Sequence, residues 1–336
     1  MNYPALTGLR FLAAFYVFIF HIHVRTPLSF LPWYFQNIVN KGALGVTIFF
    51  VLSGFILTAN YYQKDMNFLN FIKKRLIRIY PDYLVGLLLC LYVNIWLNIS
   101  TPFPIILANL FMVESLTYPI AMEWYGGGAW SVSTEMFFYF CFPLLLPYLL
   151  NLSQKSVYWL LGLVIVASSI PGFLFHFGYL TFNVSYAFPL SRLPEFVAGM
   201  LLGILFFRFN VRPNLLAASG SIAFAVFYMV YFSPSFSGYT AHHIFILPAI
   251  LFLILLLTVK FNWLGSKPMV YLGEISYAFY IVQLPLLIAF DNLVIQQKIS
   301  PANSLAGVVL FFINLFLAVL VFHWVEVPAM RYFKRR

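Results

Sequence analysis

A chain of 336 residues is long enough for two or three soluble domains, but 63% hydrophobic, 21% aromatic and only 8% charged residues leave too little polar surface to solvate one. A soluble enzyme is excluded, and so is a β-barrel, because runs such as Leu305 to His323 are apolar on every face instead of alternating. The net charge of +10 does not point to nucleic acid, since the 19 Lys and Arg residues sit mostly at the ends of apolar runs, where they orient a chain in a bilayer and meet anionic headgroups.

Apolar runs of about 17 to 20 residues, each able to cross a hydrocarbon core of about 30 Å, predict an all-α, polytopic membrane helix bundle. The first, Leu6 to Val24, carries Arg10 and two histidines and lacks a cleavage pattern, so it reads as a retained helix. Further spans are predicted at about 44–61, 80–97, 131–150, 157–174, 190–207, 215–232, 243–259, 270–290 and 304–323, ten in all. Between the second and third, Asn70 to Tyr80 interleaves Lys73, Lys74, Arg75 and Arg78 with apolar residues and reads as an interfacial amphipathic helix. Phe103 to Val113, bracketed by Pro102 and Glu114, is too short to span and reads as re-entrant or interfacial. Gly126 to Gly128 reads as a flexible loop before a span, and Cys90 and Cys141, inside apolar runs, as packing residues. With ten spans and a cytoplasmic N-terminus, 15 of the 19 basic residues lie inside, leaving Arg25, Lys41, Arg192 and Lys298 outside or at the outer edge. Both termini are then cytoplasmic, and with neither repeat nor linker the whole of 1–336 is one domain.

Ionisable groups inside spans are costly and mark function. His21 follows Arg10 by eleven residues, within about 20° of three helical turns, so both project from one face about 16 Å apart. The Arg can bind a phosphate or carboxylate through its planar fork, and the His can act as a general base or acyl carrier; a snorkelling Arg and a hydrogen-bonded core His are the bland alternative. Ser53 and Gly54 read as small residues for close packing against the first span rather than for catalysis. Ser131 and Glu135 share a helix face, and that carboxylate could orient an imidazole, bind a sugar hydroxyl or pair with an Arg. Arg192 and Glu195, three apart, are equally a site or an intrahelical ion pair. Glu274, Tyr277 and Gln283 place polar groups on another span that Pro285 could kink, although Tyr277 and Tyr280 could also be packing aromatics. No metal-ligand spacing is present.

Six segments together resemble the membrane acyltransferase 3 family: LTGLR at Leu6 to Arg10 with His21, FFVLSGF at Phe49 to Phe55, RLIRIYP at Arg75 to Pro81, WSVSTE at Trp130 to Glu135, RLPEF at Arg192 to Phe196, and LGEISYAFY at Leu272 to Tyr280. The resemblance implies acyl transfer, commonly acetyl from cytoplasmic acetyl-CoA, to a hydroxyl of a surface carbohydrate such as O-antigen, capsule or exopolysaccharide, free or lipid-linked, in the bacterial inner membrane. Some relatives modify small glycosides or macrolides. It implies catalytic roles for His21 and Glu135 and substrate-binding roles for Arg10, Arg75, Arg78, Trp130, Ser131, Ser133, Arg192, Glu195 and Tyr277. No bound cofactor or metal is implied, and the partners are acyl-CoA, the acceptor and membrane lipid, with no nucleic acid. Many members carry a His where this chain has Gln283.

The expected mechanism brings acyl-CoA to Arg10, with Arg75 and Arg78 assisting, and its thioester toward His21. His21 deprotonates the acceptor or accepts the acyl group, and Glu135 holds the imidazole. A transporter or flippase of a lipid-linked saccharide would also need polar groups in a bundle, but its broken helices in repeated halves are not seen.

Overall fold

The computed structural model describes residues 3–117, 120–231, 239–259, 263–295 and 304–334; Lys260, Lys298, Arg335 and Arg336 lie outside them. In chain order the helices are α1 (Pro4–Arg25), α2 (Trp33–Val39), α3 (Leu44–Tyr61), α4 (Phe68–Leu97), α5 (Phe103–Leu110), α6 (Gly126–Leu150), α7 (Gln154–His176) and α8 (Phe182–Tyr186). Then follow α9 (Pro189–Phe207), α10 (Leu215–Tyr231), α11 (His243–Val259), α12 (Lys267–Glu274), α13 (Ser276–Ile295), α14 (Ser304–Val321) and α15 (Val327–Lys334). No strand occurs among the described residues. Nine helical stretches among them are long and apolar enough to cross a membrane; the tenth expected span, Leu215–Tyr231, is an apolar helix of 17 residues.

The centre of the bundle is the pair α3 and α9, packed backbone to backbone. A Cβ on Gly54 would stand 2.1 Å from the Phe196 carbonyl oxygen, and one on Gly199 would stand 2.0 Å from that of Val51. These glycines let two apolar helices approach closely where lipid supplies no hydrophobic driving force, so dispersion contacts hold the pair. The expected packing of Ser53 and Gly54 against the first span is thereby corrected: Gly54 meets α9, and Ser53 bonds Glu135 of α6. Around it, α1, α4, α6 and α13 enclose the polar interior, while helices such as α14 present Val308, Phe312 and Phe316 outward, a surface matched to acyl chains rather than water.

Several expected boundaries move, each for a tertiary reason. The basic stretch from Asn70 to Tyr80 is not a separate interfacial helix but the first part of α4, a continuous helix of 30 residues that the Asn67 side chain caps through the Asn70 N–H. Pro81 removes one hydrogen bond inside α4 without ending it, because the helix is tied down on both sides: Arg78 pairs with Glu326, and the Tyr83 hydroxyl donates to the Asn109 carbonyl at 2.7 Å. Gly126 to Gly128 form the first turn of α6 instead of a loop, held where Gly128 abuts Leu284 and its carbonyl accepts from the Tyr280 hydroxyl.

The span expected at 270–290 breaks at Ile275 into α12 and α13. There α12 crosses α1 so closely that a Cβ on Gly273 would stand 1.9 Å from the Thr7 carbonyl oxygen, and Ser276 Oγ donates to the Gly273 carbonyl at 2.7 Å, serving a group the interrupted helix leaves over. The last span runs past 323, through a π-helical turn at Phe322–Glu326, into α15. As expected, α5 is too short to span, with 8 residues. Cys90 is buried, Cys141 is half-buried, and both are free thiols.

Candidate active site

Arg10 and His21 of α1 open into two different cavities. Arg10 lines one of about 250 Å³, together with Ser53, Arg75, Arg78, Ser131, Glu135 and Tyr277. His21 lines the other, of about 300 Å³, with Phe20, Asn40, Trp130, Phe182 and Tyr186. The first is a cluster of three guanidinium groups and one carboxylate; the second is an aromatic chamber with one imidazole.

In the Arg10 cavity, α4 supplies two arginines one turn apart. Arg78 is held by Glu326, which the π-helical turn after α14 delivers to it. Arg75 lies against the rings of Phe71 and Tyr139, its carbon 5.7 and 5.9 Å from their centroids, and its buried Nε has no hydrogen-bond partner among the described residues. A guanidinium with an unused donor, beside two others, suits a multiply charged anion that accepts several N–H groups at once. Opposite them, Glu135 Oε1 accepts from Ser53 Oγ at 2.8 Å and from Tyr139 Oη at 2.7 Å. The Tyr277 hydroxyl donates to the Ile79 carbonyl at 2.9 Å, tying α13 to α4.

His21 Nδ1 lies 3.4 Å from Gln283 Oε1. The amide is oriented by its other end, because Gln283 Nε2 donates to the Tyr280 carbonyl at 2.9 Å. An amide oxygen can only accept, so this contact favours the tautomer with its proton on Nδ1, which leaves a lone pair on Nε2, the form a general base requires. Just beyond, Arg25 fixes the end of α1: it donates to the His21 carbonyl at 3.1 Å and pairs with Asp291 at 2.8 Å.

The expectation that Glu135 holds the His21 imidazole does not match this geometry. Glu135 belongs to the other cavity, where its partners are Ser53 and Tyr139, and the imidazole's partner is Gln283. The physical reason is that Ser131 and Glu135 share one face of α6, which lines the Arg10 cavity with Ser53, while Trp130, on another face of the helix, lines the His21 cavity.

The remaining sequence candidates divide in the same way. Trp130 walls the His21 cavity, and Arg75, Arg78, Ser131 and Tyr277 wall the Arg10 cavity. Ser133 lines neither; its Oγ donates to the Met112 carbonyl and meets Ser115 Oγ, both at 2.7 Å, and so fastens the turn after α5. Arg192 and Glu195 also line neither. They form an ion pair at 2.7 Å with no exposure, joined by Thr47 at 3.1 Å and His243 at 3.4 Å, and the Arg192 guanidinium backs the Trp130 and Tyr186 rings at 5.5 and 5.3 Å. Ser53, Tyr139, Tyr280, Gln283 and Glu326 were given no site role by the sequence: Ser53 read as a packing residue, Tyr280 as a packing aromatic and Gln283 only as a polar group inside a span, while Tyr139 had the signal of standing four residues after Glu135 on one helix face. Among the described residues no group of three His, Cys, Asp or Glu side chains is placed to hold a metal ion.

Comparison with known proteins identifies the family. The acyltransferase domain model of the acyltransferase 3 family matches residues 3–324. Acyltransferase MdmB of Streptomyces mycarofaciens is 26% identical over 310 residues, covering 83% of this chain and 77% of the relative. O-acetyltransferase OatA of Staphylococcus aureus is 26% identical over 363 residues, covering 97% of this chain but only 57% of the relative. The exopolysaccharide production protein ExoZ of Rhizobium meliloti is 28% identical over 197 residues, 55% of this chain and 56% of the relative. The chain thus spans little more than half the length of two of these three relatives. No solved structure matches. With a family model over nearly the whole chain and, among the described residues, nine helical stretches long and apolar enough to cross a membrane, the chain belongs to the acyltransferase 3 family and is an integral, multi-pass membrane acyltransferase.

Proposed function

We propose that this protein transfers an acetyl group from cytoplasmic acetyl-CoA to a hydroxyl of a surface carbohydrate or its lipid-linked precursor, in a bacterial inner membrane with both termini in the cytoplasm. One observation carries the reading: a single helix, α1, presents a guanidinium to a cavity rich in arginines and an imidazole to an aromatic cavity beyond it. Arg10, Arg75 and Arg78 suit the phosphates of the donor, which neutral walls could not desolvate. Aromatic faces at Trp130 and Tyr186 suit the apolar faces of a sugar ring, and the name of ExoZ connects that relative with exopolysaccharide.

In this reaction His21 Nε2 takes the proton of the acceptor hydroxyl while its oxygen attacks the thioester carbonyl carbon. The new C–O bond replaces the C–S bond, and the thiolate leaves and is protonated as free CoA. Gln283 keeps the tautomer that permits this. Glu135 faces the arginines, balancing their charge and holding Ser53 and Tyr139 in the cavity wall.

The test is transfer of labelled acetyl from acetyl-CoA to glycan by the protein in proteoliposomes. His21→Ala is expected to lower the rate about 100- to 10,000-fold at matched protein level, and a loss of only a few-fold would remove His21 from the chemistry. Arg10→Lys is expected to be nearly as damaging as Arg10→Ala, with the loss in donor KM, because an ammonium keeps charge but not the planar fork. Wild-type behaviour of Arg10→Lys would leave Arg10 as a charge anchor only.

A further inference from the structure

Among the described residues, two line both the Arg10 and the His21 cavity: Val46 of α3 and Tyr280 of α13. Val46 is a small apolar surface with nothing to exchange. Tyr280, by contrast, is 8% exposed and fastened by its hydroxyl, with Oη 2.8 Å from the Gly128 carbonyl oxygen and 2.7 Å from Ser131 Oγ. Gly128 belongs to the His21 cavity and Ser131 to the Arg10 cavity, so one phenol is tied to the walls of both. A phenol has a single proton; donated to Gly128, it leaves the oxygen to accept from Ser131, and both hydrogen bonds are of a kind a substrate hydroxyl can replace. The edge of Phe49 rests on the ring at a centroid distance of 6.1 Å.

The same turn of α13 holds the base. Gln283, three residues on, donates to the Tyr280 carbonyl and presents its amide oxygen to His21. The ring between the cavities and the partner of the imidazole are therefore one rigid unit.

We propose that Tyr280 is the partition between the donor and acceptor cavities and decides whether the acyl group goes to an acceptor hydroxyl or to water. This rests on the reading of donor and acceptor sides given above. Water attacking the thioester carbon forms a C–O bond, breaks the C–S bond and gives acetate and free CoA. The acceptor hydroxyl makes and breaks the same bonds and gives the ester and free CoA. The two outcomes differ only in which oxygen reaches the carbonyl, so a dry, closed wall on the donor is the means of selection. An acceptor seated against Gly128 offers hydroxyls that take over that carbonyl, freeing the phenol and joining the cavities when there is something to acylate.

The test measures acetyl-CoA hydrolysis without acceptor against transfer with acceptor in proteoliposomes holding wild type, Tyr280→Phe and Tyr280→Ala. Tyr280→Ala is expected to raise the hydrolysis-to-transfer ratio on the order of tenfold, equivalent to about 1.4 kcal/mol in the relative barriers. Tyr280→Phe, which keeps the ring but loses its fastening, is expected to raise it less. A role in packing alone would lower both rates together and leave the ratio unchanged. A second measurement needs no turnover: in a background with Cys90 and Cys141 replaced, Thr7→Cys in the Arg10 cavity is treated with an impermeant maleimide from the His21 side of right-side-out vesicles. Protection with Tyr280 present and labelling in Tyr280→Ala is expected; equal labelling in both, or an unchanged ratio in both variants, overturns the partition. Were wild type to show neither hydrolysis nor transfer of acetyl-CoA, the donor assignment would fail, and the labelling would still decide whether Tyr280 divides the cavities. If Tyr280→Ala does not fold, Tyr280→Phe carries the same two measurements.

Discussion

Gln283 lies with its amide oxygen 3.4 Å from Nδ1 of His21, although 262 residues separate the two along the chain. The contact sets which ring nitrogen is free for chemistry, and the Tyr280 carbonyl in turn sets the amide. Gln283→Leu removes the acceptor and keeps the volume. A fall in kcat of about tenfold is expected, the equivalent of one neutral hydrogen bond, with the donor KM unchanged because the Arg10 cavity is untouched. A change confined to donor KM would refute the assignment of Gln283 to His21.

Glu135 accepts two hydroxyl donors on one oxygen while facing three guanidinium groups. Glu135→Gln retains an acceptor for Ser53 and Tyr139 but removes the charge. If the charge matters to the arginines, turnover should drop about 100-fold or more with unchanged melting in detergent, and Glu135→Asp should regain part of it. Near-normal rates in both variants would leave Glu135 as an anchor for its two donors.

The contact of α3 with α9 leaves no room for a side chain. Gly199→Ala would place a methyl 2.0 Å from the Val51 carbonyl oxygen, so the helices must separate, and a loss of about 1–3 kcal/mol is expected in unfolding measurements. Gly162 on α7 is the control, because a Cβ there meets nothing within 4 Å. Gly162→Ala should leave the melting temperature unchanged or raise it, since alanine loses less backbone freedom in a helix. Equal effects at the two positions would mean that helix propensity, not interhelical distance, governs this bundle.

Glu114, in the 3-10 turn after α5, is fully buried, with Oε1 3.2 Å from the oxygen of the Tyr83 hydroxyl. Burial pushes its carboxyl up to about 8, far above the ordinary glutamate value. The folded state therefore keeps a proton that the unfolded chain releases near pH 4. Stability is greatest below that pH and declines as pH rises toward 8, where the folded carboxyl ionises too. Thermal melts of detergent-solubilised Glu114→Gln, neutral at every pH, should fall less between pH 5 and 8 than those of wild type. Parallel curves would mean that another group sets the slope.

The sequence by itself determined the class of this protein. Apolar runs longer than a bilayer is thick leave only helices able to satisfy the backbone, and the small residues of FFVLSGF pointed to close helix packing at Gly54. It also placed Arg10 and His21 on one face, because helix periodicity is local. Only the tertiary structure decided that this face opens into two cavities, that Glu135 belongs with the arginines and not with the imidazole, and that Gln283 and Tyr280 lie at the junction. These relationships join helices remote in sequence, and periodicity carries no information about which faces meet. The same holds for the moved boundaries: Pro81 continues α4 and Gly126 to Gly128 are helical because contacts from Asn109, Glu326, Tyr280 and Leu284 outweigh local preferences of about 1–3 kcal/mol per residue.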